Sequence, residues 1–428
     1  MPHEPAAREL RARLLAVAGG SLGNLVEWYD WYIYSAFSLY FAKAFFPSAS
    51  RTAQLLNTAA VFAVGFFVRP IGGWYFGRYG DRHGRRAALT LSVLMMCAGS
   101  LLIAVTPGFA SIGAAAPVLL LVARVLQGFS VGGEYGASAT YLSEAAPRAR
   151  RGFYSSFQYV TLIMGQLLAI AVLMLLQFVL LTAQQLESWG WRIAFGIGAA
   201  CALGVLFLQR RLVETPAFLA AQAESHAPAQ RSLFREHPRE VLIVLGLTAG
   251  GSLAFYTFTT YMQQYLVNTV GLTLRDSTLV SAATLFVYML LQPVMGALSD
   301  WLGRKPLLIA FGVLGTLATV PLLKSLSHAR DALTAFWLIM AALTIVSAYT
   351  AISAIVKAEL FPVRIRALGV GLPYAIGVSL FGGTAPYVAL ACKSLGFEEL
   401  FYWYVSICIA GSLIVYTTMR ETSRAGTI

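Results

Sequence analysis

Charge is scarce in this sequence. Only 12% of its 428 residues are Asp, Glu, Lys or Arg, too few to cover a soluble domain of this length. Histidine is scarcer: His3, His83, His226, His237 and His328 are all there are. None lies inside an apolar stretch, which argues against a histidine proton relay at the centre of a membrane. Four cysteines, Cys97, Cys201, Cys392 and Cys408, fall in or near apolar stretches without a Cys-x-x-Cys spacing. They read as small buried hydrophobes, so neither a disulfide framework nor a zinc site is implied. There is no Gly-x-x-x-x-Gly-Lys-Ser/Thr loop, and the glycine-rich turns have no strand–helix context. An ATP-driven machine is thereby excluded, and no metal or other cofactor is expected.

What remains is apolar. Hydrophobic residues make up 58% of the chain and the mean hydropathy is +0.69, which defines an all-α polytopic membrane protein. Apolar runs predict twelve spans, at 17–41, 56–78, 88–105, 117–142, 157–181, 190–208, 241–266, 278–298, 307–323, 333–357, 367–391 and 401–419. On this scheme most of the 31 lysines and arginines fall on one side. The net charge of +12 is then topological, placing both termini in the cytoplasm and arguing against a nucleic-acid surface. Residues 1–15 read as a short cytoplasmic tail without a cleavage pattern. The one long polar interval, 209–239, divides the chain near residue 220 into six-helix bundles at 1–220 and 221–428, linked by one or two short surface helices.

Two repeats support that division. Gly77-Arg78-Tyr79-Gly80-Asp81-Arg82-His83-Gly84-Arg85-Arg86 returns as Gly296-Ala297-Leu298-Ser299-Asp300-Trp301-Leu302-Gly303-Arg304-Lys305. Glu144, Pro147 and Arg151 return at one common offset as Glu359, Pro362 and Arg366. Internal duplication of membrane halves points to a transporter. Asp81 and Asp300 stand where a carboxylate can meet a helix end or an arginine from an adjacent loop, so these turns read as latches.

Ionisable residues inside a membrane are costly and mark function or pairing. Glu27 and Asp30 lie among Trp28, Tyr29, Trp31, Tyr32 and Tyr34 in span 1, with Glu27 about 14 Å from the span's start, near mid-membrane. A carboxylate in a partly dry cavity can take up a proton at modest pH, making Asp30 the first candidate for proton coupling and Glu27 the second. Arg69, beside Pro70, can hold a substrate carboxylate through two parallel bonds. Arg124 and Glu134, roughly 15 Å apart on span 4, read either as cavity residues or as a structural network. Lys357 is placed near a helix end from which it can snorkel, and is also a candidate for substrate. Tyr256, Thr260 and Gln264 give span 7 a hydroxyl and amide density unnecessary for lipid contact. Arg69, Arg124, Arg192 and Lys357 outnumber Glu27, Asp30 and Glu134, which weakly favours an anionic substrate.

The ten-residue turn resembles the loop between helices 2 and 3 of the major facilitator superfamily, and its second copy the loop between helices 8 and 9. Gly23-Asn24-Leu25-Val26-Glu27-Trp28-Tyr29-Asp30, Arg69-Pro70-Ile71-Gly72-Gly73, the stretch from Arg124 to Gly136 and Glu359-Leu360-Phe361-Pro362 with Arg366 resemble its metabolite:proton symporter branch. Gly152 to Leu162 and Phe255 to Gln263 are similar to that branch's 2-oxoglutarate carriers. The resemblance implies a monomeric, proton-coupled importer of this dicarboxylate in a bacterial inner membrane, twelve helices in two pseudo-symmetric bundles surrounded by lipid. It matches Glu27 and Asp30 to coupling residues, Arg69 and Arg124 to arginines of the family pattern, and His83 and Arg85, with Asp81, Asp300 and Arg304, to the cytoplasmic gate. A symporter for another small acid or zwitterion, such as citrate, shikimate, proline or betaine, is the alternative, and a non-transport scaffold or sensor a remoter one.

Overall fold

The structure is a computed structural model that describes residues 4–48, 50–83, 85–132, 134–209, 230–362 and 365–425. All described regular structure is helical. The principal helices are α1 (Glu4–Phe45), α2 (Arg51–His83), α3 (Arg85–Val105), α4 (Ala115–Val131), α5 (Glu134–Ala145), α6 (Arg151–Leu175) and α7 (Trp191–Gln209). After a short helix at Gln230–Glu236 come α8 (Pro238–Phe258), α9 (Leu274–Leu302), α10 (Arg304–Ser327), α11 (Ala332–Glu359), α12 (Arg366–Gly377), α13 (Ala385–Ser394) and α14 (Glu398–Thr418). Among the described residues nine helices are long and apolar enough to cross a membrane, with shorter apolar helices at Thr90–Val105 and Ala115–Val131. The chain is a polytopic, multi-pass membrane protein.

Within the first set α1 packs on α6, α2 on α4 and α3 on α7; within the second α8 and α10 pack on α14, and α9 on α11. The sets meet where α6 runs along α9, α2 along α13 and α5 along α12. Close approach of α6 and α9 needs the absence of side chains: a Cβ on Gly296 would lie 2.6 Å from the Gly152 carbonyl oxygen.

Two expected spans are broken among the described residues. Span 7 stops at Phe258. There Thr257 and Thr259 turn their hydroxyls back onto the carbonyls of Leu253 and Phe255, and Tyr261 N–H reaches the Tyr256 carbonyl at 2.9 Å, five residues back. Hydroxyls competing for the helix ladder and one wide turn explain the break. Span 11 divides at Gly383-Thr384, where Gly383 N–H bonds to the Val378 carbonyl at 2.8 Å. Pro70 and Pro373, by contrast, lie inside helices that continue through them. Of the expected linker helices, Gln230–Glu236 is described; residues 210–229 lie outside the described residues.

Candidate functional site

Where the two sets of helices face each other, α1 presents an aromatic wall. Trp31 is fully buried, and the guanidinium carbons of both Arg69 and Arg124 lie 3.9 Å from its ring centre. Arg69 projects from α2 one turn beyond Phe66 and stands 4.0 Å from that ring. Phe66 in turn packs edge-on against Tyr256 of α8, 5.2 Å away, and the hydroxyls of Tyr256 and Tyr32 lie beside Arg69. Aromatic faces stabilise the cations without satisfying their donors. The Nε and Nη2 atoms of Arg69 are buried without a well-formed hydrogen bond, and the Tyr256 hydroxyl stands between them and Tyr32 as the nearest polar neighbour. Buried unpaired donors of this kind are ready for a ligand with acceptor oxygens.

Asp30, on the same helix, faces away from that wall into the first set. Ser100 of α3 donates to Oδ1 and the Gln127 amide of α4 donates to Oδ2 at 2.8 Å. The Gln127 carbonyl accepts from Arg124 Nη1, also at 2.8 Å. Arg124 and Gln127 are three residues apart and therefore share one face of α4. Arg124 reaches Asp30 through an amide, while its Nε and Nη2 lack a partner. Glu27 is buried too, with Oε1 unpartnered.

Lys357 does not snorkel. It is fully buried, donating to Ser353 one turn back at 2.7 Å and lying 4.2 Å from the Tyr374 ring centre. Tyr374 of α12 stacks on Tyr135 of α5 with ring centres 3.5 Å apart. Rings from other helices cover the ammonium, a tertiary effect that helix position alone does not reveal. Among the described residues no carboxylate forms an ion pair with Arg69, Arg124 or Lys357.

At one end of the helices Asp300 accepts the backbone N–H groups of Gly152 at 2.8 Å and Phe153 at 2.9 Å, capping the start of α6. Arg304 Nη1 donates to the same carboxylate at 2.9 Å and to Ser299 at 2.6 Å. Gly303, at φ +100°, turns the chain so that the amides of Arg304 and Lys305 meet Glu421, at 3.1 and 2.9 Å. At the opposite end Ser35 donates to the Thr260 carbonyl at 3.0 Å and Gln264 to Ser38 at 2.9 Å. Thr260 and Gln264 thus tie α1 to the segment after α8, whereas Tyr256 joins Arg69. The side chains of Asp81, His83, Arg85 and Glu134 lie outside the described residues. Sequence reasoning assigns no role to Ser100, Gln127 or Tyr374; the one available signal is the spacing of Arg124 and Gln127.

Two helical sets that meet over buried cations, joined by hydrogen bonds near both ends, have the organisation of a membrane transporter. The model described as Sugar (and other) transporter matches residues 16–240, and the one described as Major Facilitator Superfamily matches residues 244–427. The chain belongs to the major facilitator superfamily, as a secondary active transporter of its metabolite:proton symporter branch. It is 54% identical over 416 residues to the alpha-ketoglutarate permease of Escherichia coli K12, covering 97% of this chain and 96% of that one. The citrate-proton symporter of Salmonella typhi is 34% identical, with 87% and 86% covered. A solved D-xylose-proton symporter superposes with a TM-score of 0.74 at 20% identity, covering 96% of this chain and 98% of that one, and shows the fold.

Proposed function

We propose that the protein imports 2-oxoglutarate together with protons across a bacterial inner membrane. It works by alternating access, as a monomer with twelve spans in two pseudo-symmetric bundles, 1–220 and 221–428, and both termini in the cytoplasm. The observation that carries the substrate class is the pair of cations, Arg69 and Lys357, buried among tyrosines without a carboxylate partner among the described residues. Leaving two charges unpaired in a dry interior is expensive, and a dianion that pairs with both removes the cost. Arg69 takes one carboxylate as a planar fork, with Arg124 beside it; Lys357 takes the other as a point charge; Tyr256 faces the keto group. The identity to a named alpha-ketoglutarate permease supports the same reading.

Asp30 is the proton carrier. Its direct hydrogen-bond partners are neutral, and Arg124 reaches it only through the Gln127 amide, so no cation touches the carboxylate itself; Glu27 is the alternative. Asp300 and Arg304, with Asp81, His83 and Arg85 in the other copy of the turn, form the cytoplasmic gate. Uptake of labelled 2-oxoglutarate into proteoliposomes under an imposed pH gradient tests the assignment. Competition by succinate should exceed that by citrate, shikimate or betaine. Stronger competition by citrate or betaine transfers the assignment to that substrate, and uptake indifferent to the gradient removes the coupling.

A further inference from the structure

The amide of Gln127 lies between an acid and a base, and its orientation is chemically forced. Ionised Asp30 only accepts hydrogen bonds and Arg124 only donates them. The Gln127 NH2 must therefore face Asp30 and its carbonyl must face Arg124, as found at 2.8 Å on both sides. Protonation of Asp30 breaks this agreement. A proton on Oδ2, the oxygen that Ser100 does not address, turns it into a donor opposite a donor. Gln127 restores the contact by rotating its amide, giving up the 2.8 Å bond that its NH2 also makes to Ser100 Oγ. The carbonyl then accepts from the Asp30 hydroxyl, and the NH2 is turned toward Arg124, which has only donors to offer. Arg124 Nη1 is released to join Nε and Nη2, already buried without a partner.

We propose that Gln127 is a positioning residue, an amide switch that frees Arg124 for the anionic substrate when Asp30 takes up its proton. The inference rests on the reading of Asp30 as the proton carrier. It explains how a proton bound inside the first set of helices alters affinity at the wall, because Arg124 shares the Trp31 ring with Arg69. One proton enters at Asp30 and forms an O–H bond, no bond between heavy atoms changes, and that O–H bond breaks again when the proton leaves and the amide returns. The titratable and charged groups facing Asp30 are Cys97 of α3, Arg124 of α4, Cys201 of α7 and Tyr29 of its own helix. Arg69 of α2 stands beyond Trp31. Of these, Arg124 is the one that Gln127 touches.

Binding of labelled 2-oxoglutarate to the purified full chain, from acid to neutral pH, is the test. Wild-type affinity should fall as pH rises, by about 5-fold or more, the usual scale of coupling between sites. Gln127→Leu leaves Arg124 free in either state of Asp30, so affinity should stay high and vary by less than about twofold. Gln127→Glu keeps the shape but accepts from Arg124 permanently, so affinity should stay low at both ends of the range. Opposite levels and equally flat profiles are beyond what a general loss of packing produces. Asp30→Asn, measured alongside, should bind tightly and without pH dependence. If Asp30→Asn retains the wild-type profile, the assignment of Asp30 itself fails. A flat Asp30→Asn with a wild-type profile in either Gln127 variant overturns the switch alone.

Discussion

Removing the Asp300 carboxylate should open the cytoplasmic end of the transporter. In the structure it receives two helix-end N–H groups at 2.8 and 2.9 Å and the Arg304 guanidinium at 2.9 Å. The two backbone bonds join the first set of helices to the second, and must break when that end opens. A hydrogen bond to an ionised acceptor contributes about 1.5–3 kcal/mol. Rehydration of the amides offsets part of the sum, leaving about 2–3 kcal/mol, or roughly 30- to 150-fold in the ratio of closed to open forms. Arg304 is not stranded, since Glu359 stands 4.0 Å from its Nε. A single cysteine at Ser155, buried one turn below the latch, placed in a chain lacking the native four, reports the opening. Alkylation from the cytoplasmic face should quicken about tenfold or more in Asp300→Ala, while substrate affinity in the open form is kept. An unchanged rate in a folded variant refutes the latch.

Arg69→Lys retains the charge but loses the planar fork and much of its contact with Trp31; 2-oxoglutarate binding should weaken by about tenfold or more, and unchanged binding removes Arg69 from the site. Lys357→Gln should cost affinity for 2-oxoglutarate but little for a monocarboxylate such as 2-oxobutyrate, and equal losses for both would reject the point-charge role. Cysteines at Ala115 and Arg275 should react with impermeant reagent from outside the cell; reaction only from inside overturns the twelve-span topology. Burial pushes the Glu421 carboxyl up, but the amides of Lys305, Ser423 and Arg304 outweigh it and hold it below its usual range. A depressed carboxylate stabilises fully above its unfolded pKa and loses that contribution as pH falls through the folded one. Glu421→Gln should therefore lower stability at neutral pH by about 1 kcal/mol, allowing for its half-exposed position, with the difference from wild type vanishing in acid. Equal thermal unfolding at neutral pH rejects the clamp.

The membrane class and the family were legible because they rest on local runs and short motifs. Asp300 was legible as a residue that can meet a helix end, and the arginine it meets is Arg304 of its own turn rather than one from an adjacent loop. The helix it caps, however, is α6, far away in sequence. Partnerships of that kind depend on tertiary packing. Lys357 shows the same limit: its place near a helix end suggests snorkelling, while Tyr135 and Tyr374 arrive from α5 and α12 to bury it. Thr260 and Gln264 look like ligand groups by composition; the Thr260 backbone carbonyl and the Gln264 amide nitrogen meet Ser35 and Ser38 across a seam, while the Gln264 Oε1 is buried without a partner. The break after Phe258 was hidden because its cause, hydroxyls bonding back to carbonyls, uses residues that elsewhere sit in unbroken helices.

Trp31, with a guanidinium carbon of each arginine 3.9 Å from its ring centre, has a consequence for spectroscopy. Cations held over an indole act on its excited state through the same field that attracts them to the ring. When a carboxylate draws either guanidinium aside, the emission of this one indole changes in colour and yield. Replacing the other seven of the eight tryptophans by phenylalanine would leave a carrier that signals its own occupancy. Each transport cycle could then be followed by light alone, without a label on substrate or protein.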